Sequence, residues 1–226
     1  LLGNGNGSYQ AAVNYGACPR PHELAIGDFN EDSWPDVAVA CQFNTSVVGV
    51  FINNGNGTFQ PMVSYIAGSR PHSVVTADFN QDGHLDLAVA NYAESTIGIL
   101  AGAGDGTFGS SVKYASGGRP HSLRTADLNG DGQLDLVAVN DNTNTASVLR
   151  GLPGGTFAPR TDYPVGSVPK GVALGDVDGD GIIDIVSANT GGSYPTCCVA
   201  TGGDNVSILT GRGDGTFNPR YEHTVG

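Results

Sequence analysis

Carboxylates stand at alternate positions in Asp176-Val-Asp178-Gly-Asp180-Gly181-Ile-Ile-Asp184. Calcium is a hard cation that takes six to eight oxygens, and alternate side chains of a tightly curled loop turn inward together. Asp176, Asp178 and Asp180 are therefore read as ligands at positions one, three and five. The backbone carbonyl of Ile182 supplies position seven and Asp184 closes the shell at position nine. Gly181 allows the sharp turn at position six. A helix-loop-helix calcium site needs Glu at position twelve, but Ser187 stands there and strand-like residues follow. The ladder leads into a strand.

The ladder recurs as Asp28, Asn30, Asp32, Trp34 (carbonyl) and Asp36; as Asp78, Asn80, Asp82, His84 (carbonyl) and Asp86; and as Asp127, Asn129, Asp131, Gln133 (carbonyl) and Asp135. The first residues fall at 28, 78, 127 and 176, a period of 50, 49 and 49 residues. Copies in phase over the whole chain mark a repeat protein. Up to four calcium ions are expected. No open coordination position or general base stands beside the ladders, so the ions are expected to staple loops and not to catalyse; their binding is folding energy.

Each repeat holds four strand-like runs, in the second copy His72 to Ala77, Leu85 to Ala90, Thr96 to Ala101 and Ser111 to Tyr114. Leu85, Leu87 and Val89 point to one side and Asp86, Ala88 and Ala90 to the other, so both faces are expected to be covered. A small four-stranded sheet, packed on both sides and repeated, is a propeller blade. The reading is an all-β propeller of four-stranded antiparallel blades in one array. Residues 1–18 form a leading partial blade, followed by blades at 19–68, 69–117, 118–166 and 167–226, the last with an insertion near 190–204. Between the third and fourth runs lies a Gly-rich hairpin tip, Gly55 to Phe59, Gly104 to Phe108, Gly154 to Phe157 and Gly213 to Phe217, with a fifth at Gly5 to Tyr9. Its Phe is read as a plug between blades.

Charged residues make up only 14% and the chain holds 35 Gly and 12 Pro, which suits many short strands. The formal charge is −12, but thirteen of the 22 acids lie in the ladders, so the acidity belongs mostly to the ion sites. Nucleic-acid binding, which needs clustered Lys and Arg, is argued against. No apolar run approaches the ~20 residues that cross a bilayer. Leu1 starts inside a repeat with no signal peptide, so a processed or excised piece is expected. Weak multi-oxygen calcium sites suit the millimolar calcium outside the cell, and the extracellular space or cell surface is the expected location. Four Cys are consistent with disulfides. Cys41 ends strand two where the other copies have Asn91, Asn140 and Asn189, and Cys18 lies just before strand one, so Cys18 to Cys41 is the preferred bond. Cys197 and Cys198 are then left to join each other or to pair outside the chain; three internal connectivities are open. Asn6, Asn44, Asn56 and Asn205 each begin an Asn-x-Ser/Thr glycan acceptor triplet, a weak signal in an Asn- and Thr-rich chain.

The phrases Ala77-Asp-Phe-Asn-Gln-Asp-Gly-His-Leu-Asp-Leu-Ala-Val-Ala-Asn91 and Gly104-Asp-Gly-Thr-Phe108 resemble the FG-GAP (VCBS-type) repeats of integrin alpha-subunit propellers, fungal propeller lectins and many secreted or cell-surface proteins. The resemblance implies a calcium-binding β-propeller with the ion between strands one and two of a blade, at each ladder named above. Ser33 departs from the pattern of Gly83, Gly132 and Gly181, with Trp34-Pro35 beside it.

Arg20-Pro-His22, Arg70-Pro-His72 and Arg119-Pro-His121 recur before strand one, and the fourth copy reads Val168-Pro-Lys170. The His are read as loop caps copied with the repeat; ringing a channel or a sugar pocket is the functional alternative. Zinc is argued against because single His on separate blades lack close ligand spacing. Arg212-Gly-Asp214 spells an integrin-ligand tripeptide, but Gly104-Asp105-Gly106 holds the same place, so its Asp and Gly belong to the repeat. Trp34 is read either as a sugar platform or as a cover for the ion site. No catalytic constellation is defensible. The expectation is a non-enzymatic structural or adhesive module. A glycan-binding lectin, or an accessory region of a secreted polysaccharide-processing enzyme, are the rivals. Tyr9 to Tyr15 and Arg220 to Val225 both read as fourth strands, so the leading segment is expected to complete a blade of another copy or of adjoining repeats. A larger ring or an open filament follows, with glycans or cell-surface proteins as further partners.

Overall fold

The structure, a computed structural model, describes residues 2–42, 46–191 and 204–224. Runs of β-branched and small residues, cut by Gly and Pro turns, form four four-stranded antiparallel sheets in sequence order. The first holds β1 (Pro21–Gly27), β2 (Asp36–Cys41), β3 (Val47–Phe51) and β4 (Val63–Ile66). The second holds β5 (Pro71–Ala77), β6 (Asp86–Asn91), β7 (Thr96–Leu100) and β8 (Val112–Ala115). In the third, β9 (Pro120–Ala126), β10 (Asp135–Asn140) and β11 (Thr145–Leu149) are followed by a short tip ribbon, β12 (Gly151–Leu152) with β13 (Thr156–Phe157), before β14 (Thr161–Pro164) completes the sheet. The fourth holds β15 (Pro169–Gly175), β16 (Asp184–Thr190), β17 (Asp204–Leu209) and β18 (Tyr221–Thr224). Each sheet is a blade of the expected all-β propeller, and β1, β5, β9 and β15 pack successively as the innermost strands.

The core lies between blades, because every second strand is apolar on both faces. Leu87 and Val89 pack toward the first blade against Phe29, Ala38, Ala40, Val48 and Val50. Their neighbours Ala88 and Ala90 face the third blade, against Leu123, Leu136 and Leu149. Phe108 packs edge-on against Phe29 and Tyr65 of the preceding blade, with centroids 5.4 Å away in both pairs. Phe157 does the same with Phe79 and Tyr114, and Phe217 with Tyr163. The plug reading of the tip Phe holds.

Two expectations about the ends met different outcomes. Tyr221–Thr224 pairs with β17 as the fourth strand of the fourth blade. Tyr9 to Tyr15, however, is not a strand: Gly3 bridges Tyr9 in a tip-like turn, and no ladder follows. A fourth strand needs the third strand of its own sheet, and the described residues before β1 hold none. Tyr15 still docks on Phe51 and Phe59, at 6.3 and 5.4 Å between centroids, as Tyr65 docks on Phe108. Cys18 is bonded to Cys41 at a Cα separation of 5.7 Å, tying that segment to β2. Most of the insertion near 190–204, with Cys197 and Cys198, and Asn44 fall outside the described residues. No described helix is long and apolar enough to cross a membrane.

Candidate functional site

In all four loops the first Asp of the ladder curls the chain around its own carboxylate. Asp28 accepts the amides of Asp32 at 3.1 Å and Ser33 at 2.8 Å; Asp78 accepts those of Asp82 at 3.2 Å and Gly83 at 2.9 Å. Asp127 takes Gly130 and Gly132, both at 2.8 Å; Asp176 takes Gly179 at 2.7 Å and Gly181 at 2.8 Å. Position five then accepts the amide of position seven, pairing Asp32 with Trp34, Asp82 with His84, Asp131 with Gln133 and Asp180 with Ile182. The backbone is left-handed at position six, at φ 71° for Ser33 and 81–92° for Gly132, Gly181 and Gly83.

Composition separates the fourth loop from the rest. Asn30, Asn80 and Asn129 donate their amides to Asp32, Asp82 and Asp131 at 2.8–2.9 Å. Asp178 has no amide to donate. Desolvation, and behind it repulsion from Asp180, Asp184 and Asp176, holds its carboxyl above the ordinary range. Oxygens of Asp176, Asp178 and Asp184 lie within 4.8 Å of one another. That is the span of two oxygens on opposite sides of an ion at about 2.4 Å, so the donor set fits calcium.

Position nine does more than close a shell. Asp36, Asp86, Asp135 and Asp184 are buried, and each carboxylate clamps two backbone amides from different parts of its blade. Asp86 takes Phe79 N–H at 3.0 Å from the loop and Gly102 N–H at 2.8 Å from the tip. Asp36 joins Phe29 to Asn53, Asp135 joins Leu128 to Gly151, and Asp184 joins Val177 to Gly211. Burial pushes Asp36, Asp86 and Asp135 up despite these donors, with neighbouring loop carboxylates adding to it. A divalent cation beside them would offset that cost.

The first three loops also meet the next blade. Gly106 donates its amide to the Phe29 carbonyl at 2.8 Å. A Cβ on Gly106, Gly155 or Gly215 would meet the Cβ of Asn30, Asn80 or Asn129 at 2.8–3.5 Å, so the tip glycine admits the preceding loop. Glu31 pairs with His84, and Gln81 donates to the Gly132 carbonyl at 2.7 Å, linking successive loops directly. The side chain at position seven covers its own tip: a Cβ on Gly55 would meet Trp34 Nε1 at 2.9 Å, and one on Gly213 would meet Ile182 at 3.5 Å. Trp34 nevertheless stays half exposed. In the Arg-Gly-Asp tip, Asp214 accepts the amide and hydroxyl of Thr216 and Arg212 donates to Asn218 at 2.8 Å, so both charges serve the turn, as Asp105 does with Thr107.

The structure alters the sequence reading most at the three His. Each strand-one start carries a β-bulge: Pro71 faces Asn91 and Ser73 faces Ala90, which leaves His72 as the extra residue. The register shifts likewise at His121 and at Lys170, and between Pro21 and Leu24 around His22. The bulge re-aims these side chains, and ring nitrogens of His22, His72 and His121 lie within 4.8 Å of one another. Blade separation therefore does not deny them ligand spacing, contrary to the reading that argued against zinc. His72 is stacked between His22, at 4.6 Å, and Tyr92, at 4.1 Å. Periodicity had no means of revealing the bulge, whereas the Tyr15, Tyr65, Tyr114 and Tyr163 series that seats the tip Phe recurs in register and was legible.

A family profile described as FG-GAP-like repeat matches residues 28–89, 78–138 and 127–187. No curated protein matches the sequence. Among solved structures, an Agrocybe aegerita lectin that recognises non-reducing terminal N-acetylglucosamine is similar at 22% identity and a TM-score of 0.58, over 89% of this chain and 52% of that one. Kuenenia stuttgartiensis hydrazine synthase is similar at 13% identity and a TM-score of 0.59, over 96% of this chain and 53% of that one. A V. cholerae biofilm matrix protein follows at 18% identity and 0.54, over 88% and 28%. The chain spans about half the length of the first two, and at such identities the likeness is one of fold.

Proposed function

The chain belongs to the FG-GAP-like repeat family, and from that premise we propose that it is a non-enzymatic, extracellular, calcium-stapled propeller module with a structural or adhesive role. One observation carries this reading: the first three acidic loops sit where one blade meets the next, with Asn30, Asn80 and Asn129 against the following tips. An ion in the loop fixes the backbone on which the neighbouring blade rests, so calcium and inter-blade packing act on one equilibrium. The loops use their polar atoms on their own backbone, which suits stapling better than chemistry. The Cys18–Cys41 bond supports an oxidising compartment.

Ion removal leaves thirteen loop acids crowded without a counter-charge. Excess chelator is expected to lower the melting temperature sharply, and calcium alone to restore it. A melting curve unchanged after verified ion removal would sink the proposal. A second reading, glycan binding, draws on the half-exposed Trp34 and on the fold shared with the Agrocybe lectin. Specific glycan-array signals lost in Trp34→Ala would favour it over a purely structural role.

A further inference from the structure

We propose that His22, His72 and His121 form a binding site for one first-row transition-metal dication, zinc foremost, with three imidazole ligands and an open fourth position. The cluster is independent of the acidic loops and of their calcium. Its ligand nitrogens lie within 4.8 Å of one another. Nitrogens around a tetrahedral zinc at 2.0–2.1 Å stand about 3.3 Å apart, so a closure of at most about 1.5 Å completes the site.

Hydrogen bonding has already chosen the free nitrogens on two of the rings. His22 Nδ1 donates to the His72 carbonyl at 2.7 Å, and His121 Nδ1 donates to the Lys170 carbonyl at 2.9 Å. A ring that donates from Nδ1 keeps its lone pair on Nε2, and such a backbone bond is the outer-shell support that orients a metal-binding imidazole. His72 lacks that partner: its Nδ1 is buried and meets no hydrogen-bond partner, while its Nε2 lies 2.7 Å from the Gln42 amide. Gln42 Nε2 donates to that Nε2, which leaves the ring proton on a buried Nδ1 with no acceptor among the described residues; turning the Gln42 amide over puts its oxygen on Nε2–H and frees the Nδ1 lone pair for an ion. A buried polar atom without a partner is costly, and a metal ion would satisfy it.

The surroundings keep the imidazoles ready to ligate. Burial first, then the charges of neighbouring His, Arg and Lys side chains, pushes His72 down to about 3 and His121 down to about 4, so both rings are neutral near pH 7. Lys170, which replaces His on the fourth blade, is engaged by Asp141 at 2.8 Å. His22 is exposed, which gives the ion a way in and leaves room for water at the fourth position. Imidazole ligands suit zinc, copper, nickel and iron.

The test is zinc titration of the whole chain in millimolar calcium, so that the acidic loops are occupied, with cobalt as a spectroscopic substitute. One zinc per chain is expected, together with visible cobalt bands of a low-coordinate nitrogen-rich site. His22→Gln, an exposed position whose variant is checked by its melting curve in calcium, and His121→Gln are each expected to weaken zinc at least the ~100-fold seen on losing an outer-shell partner. His84→Gln, in the second acidic loop, is expected to leave binding unchanged. The proposal is overturned by the absence of saturable uptake, by uptake indifferent to both His22→Gln and His121→Gln, or by equal loss in His84→Gln.

Discussion

Position six of the ladders shows how one residue type answers to backbone geometry. Gly83, Gly132 and Gly181 take the left-handed conformation without penalty, while Ser33 is held at φ 71° with a Cβ in the way. Ser33→Gly is expected to stabilise the protein by about 1 kcal/mol, the usual cost of a non-glycine residue there; Ser33→Ala should bring no such gain. Thermal melts of both variants in calcium check this. Asp178 is the converse case, a fourth acid where the other loops place an amide donor. More ligand charge means tighter binding, so Asp178→Asn should lower the affinity of the strongest calcium site in a titration and leave the weaker ones unmoved. The buried His give a pH dependence with a definite sign. The folded values of His72 and His121, about 3 and about 4, lie below the ordinary 6.5. The unfolded chain therefore binds protons that the fold refuses, and their contribution is full above about pH 6.5 and is lost as pH falls toward 4 and 3. The charged and titratable groups around them are His22, Arg70, Lys170 and Asp141, with Tyr92 stacked on His72. In chelator, denaturation midpoints should fall across that window, and His72→Gln should flatten the slope.

Among the elements, the tip hairpin joins the second strand in packing one blade on the next. Phe108 closes on Phe29 and Tyr65 of the preceding blade and is 9% exposed, so Phe108→Ala is expected to cost about 3–5 kcal/mol. Phe59, which closes on Tyr15 and Phe51 but is less buried than Phe108, should cost less when truncated. Chemical denaturation of the two variants in calcium compares them. Strands, loops and tips were readable because each has a fixed period or spacing: β5 to β8 lie within about a residue of the runs read from hydrophobic alternation. The Cys18–Cys41 bond was readable because Cys41 replaces the Asn of the other copies. The paired amides on Asp36, Asp86, Asp135 and Asp184 were not, since a carboxylate at position nine looks the same whether it faces an ion or clamps a tip. Nor was the His cluster, which depends on a one-residue register shift that leaves no mark in composition or period. The failure of Tyr9 to Tyr15 to form a strand has the same root, because pairing belongs to the partner strand and not to the segment alone.

At the scale of the whole molecule, the blades at either end show what an interior interface would have covered. Val74, Leu123 and Val172 on the inner strands are 2%, 0% and 5% exposed, whereas the equivalent Leu24 is 58% exposed and Ile26 beside it 60%. On the opposite face Phe29, Phe79 and Leu128 are 2%, 3% and 4% exposed, but the equivalent Val177 is 49% exposed. Tyr15 and Cys18 cover only the outer part of the leading face, over Val39, Cys41 and Phe51. The two faces differ from each other and match in kind the two sides of every internal junction, and on that ground we propose that each is covered by the other, from a second copy or from adjoining repeats. Such head-to-tail contacts close into a ring or run on as a filament, according to the rotation per step. In calcium the chain is therefore expected to self-associate, with Leu24→Lys and Ile26→Lys each reducing association while leaving the melting curve of the dilute protein nearly unchanged, since both side chains are mostly exposed. Sedimentation across a concentration series reads this directly. A chain that stays monomeric throughout, or that associates equally well with both substitutions in place, would show that the exposed residues on these faces are simply solvated.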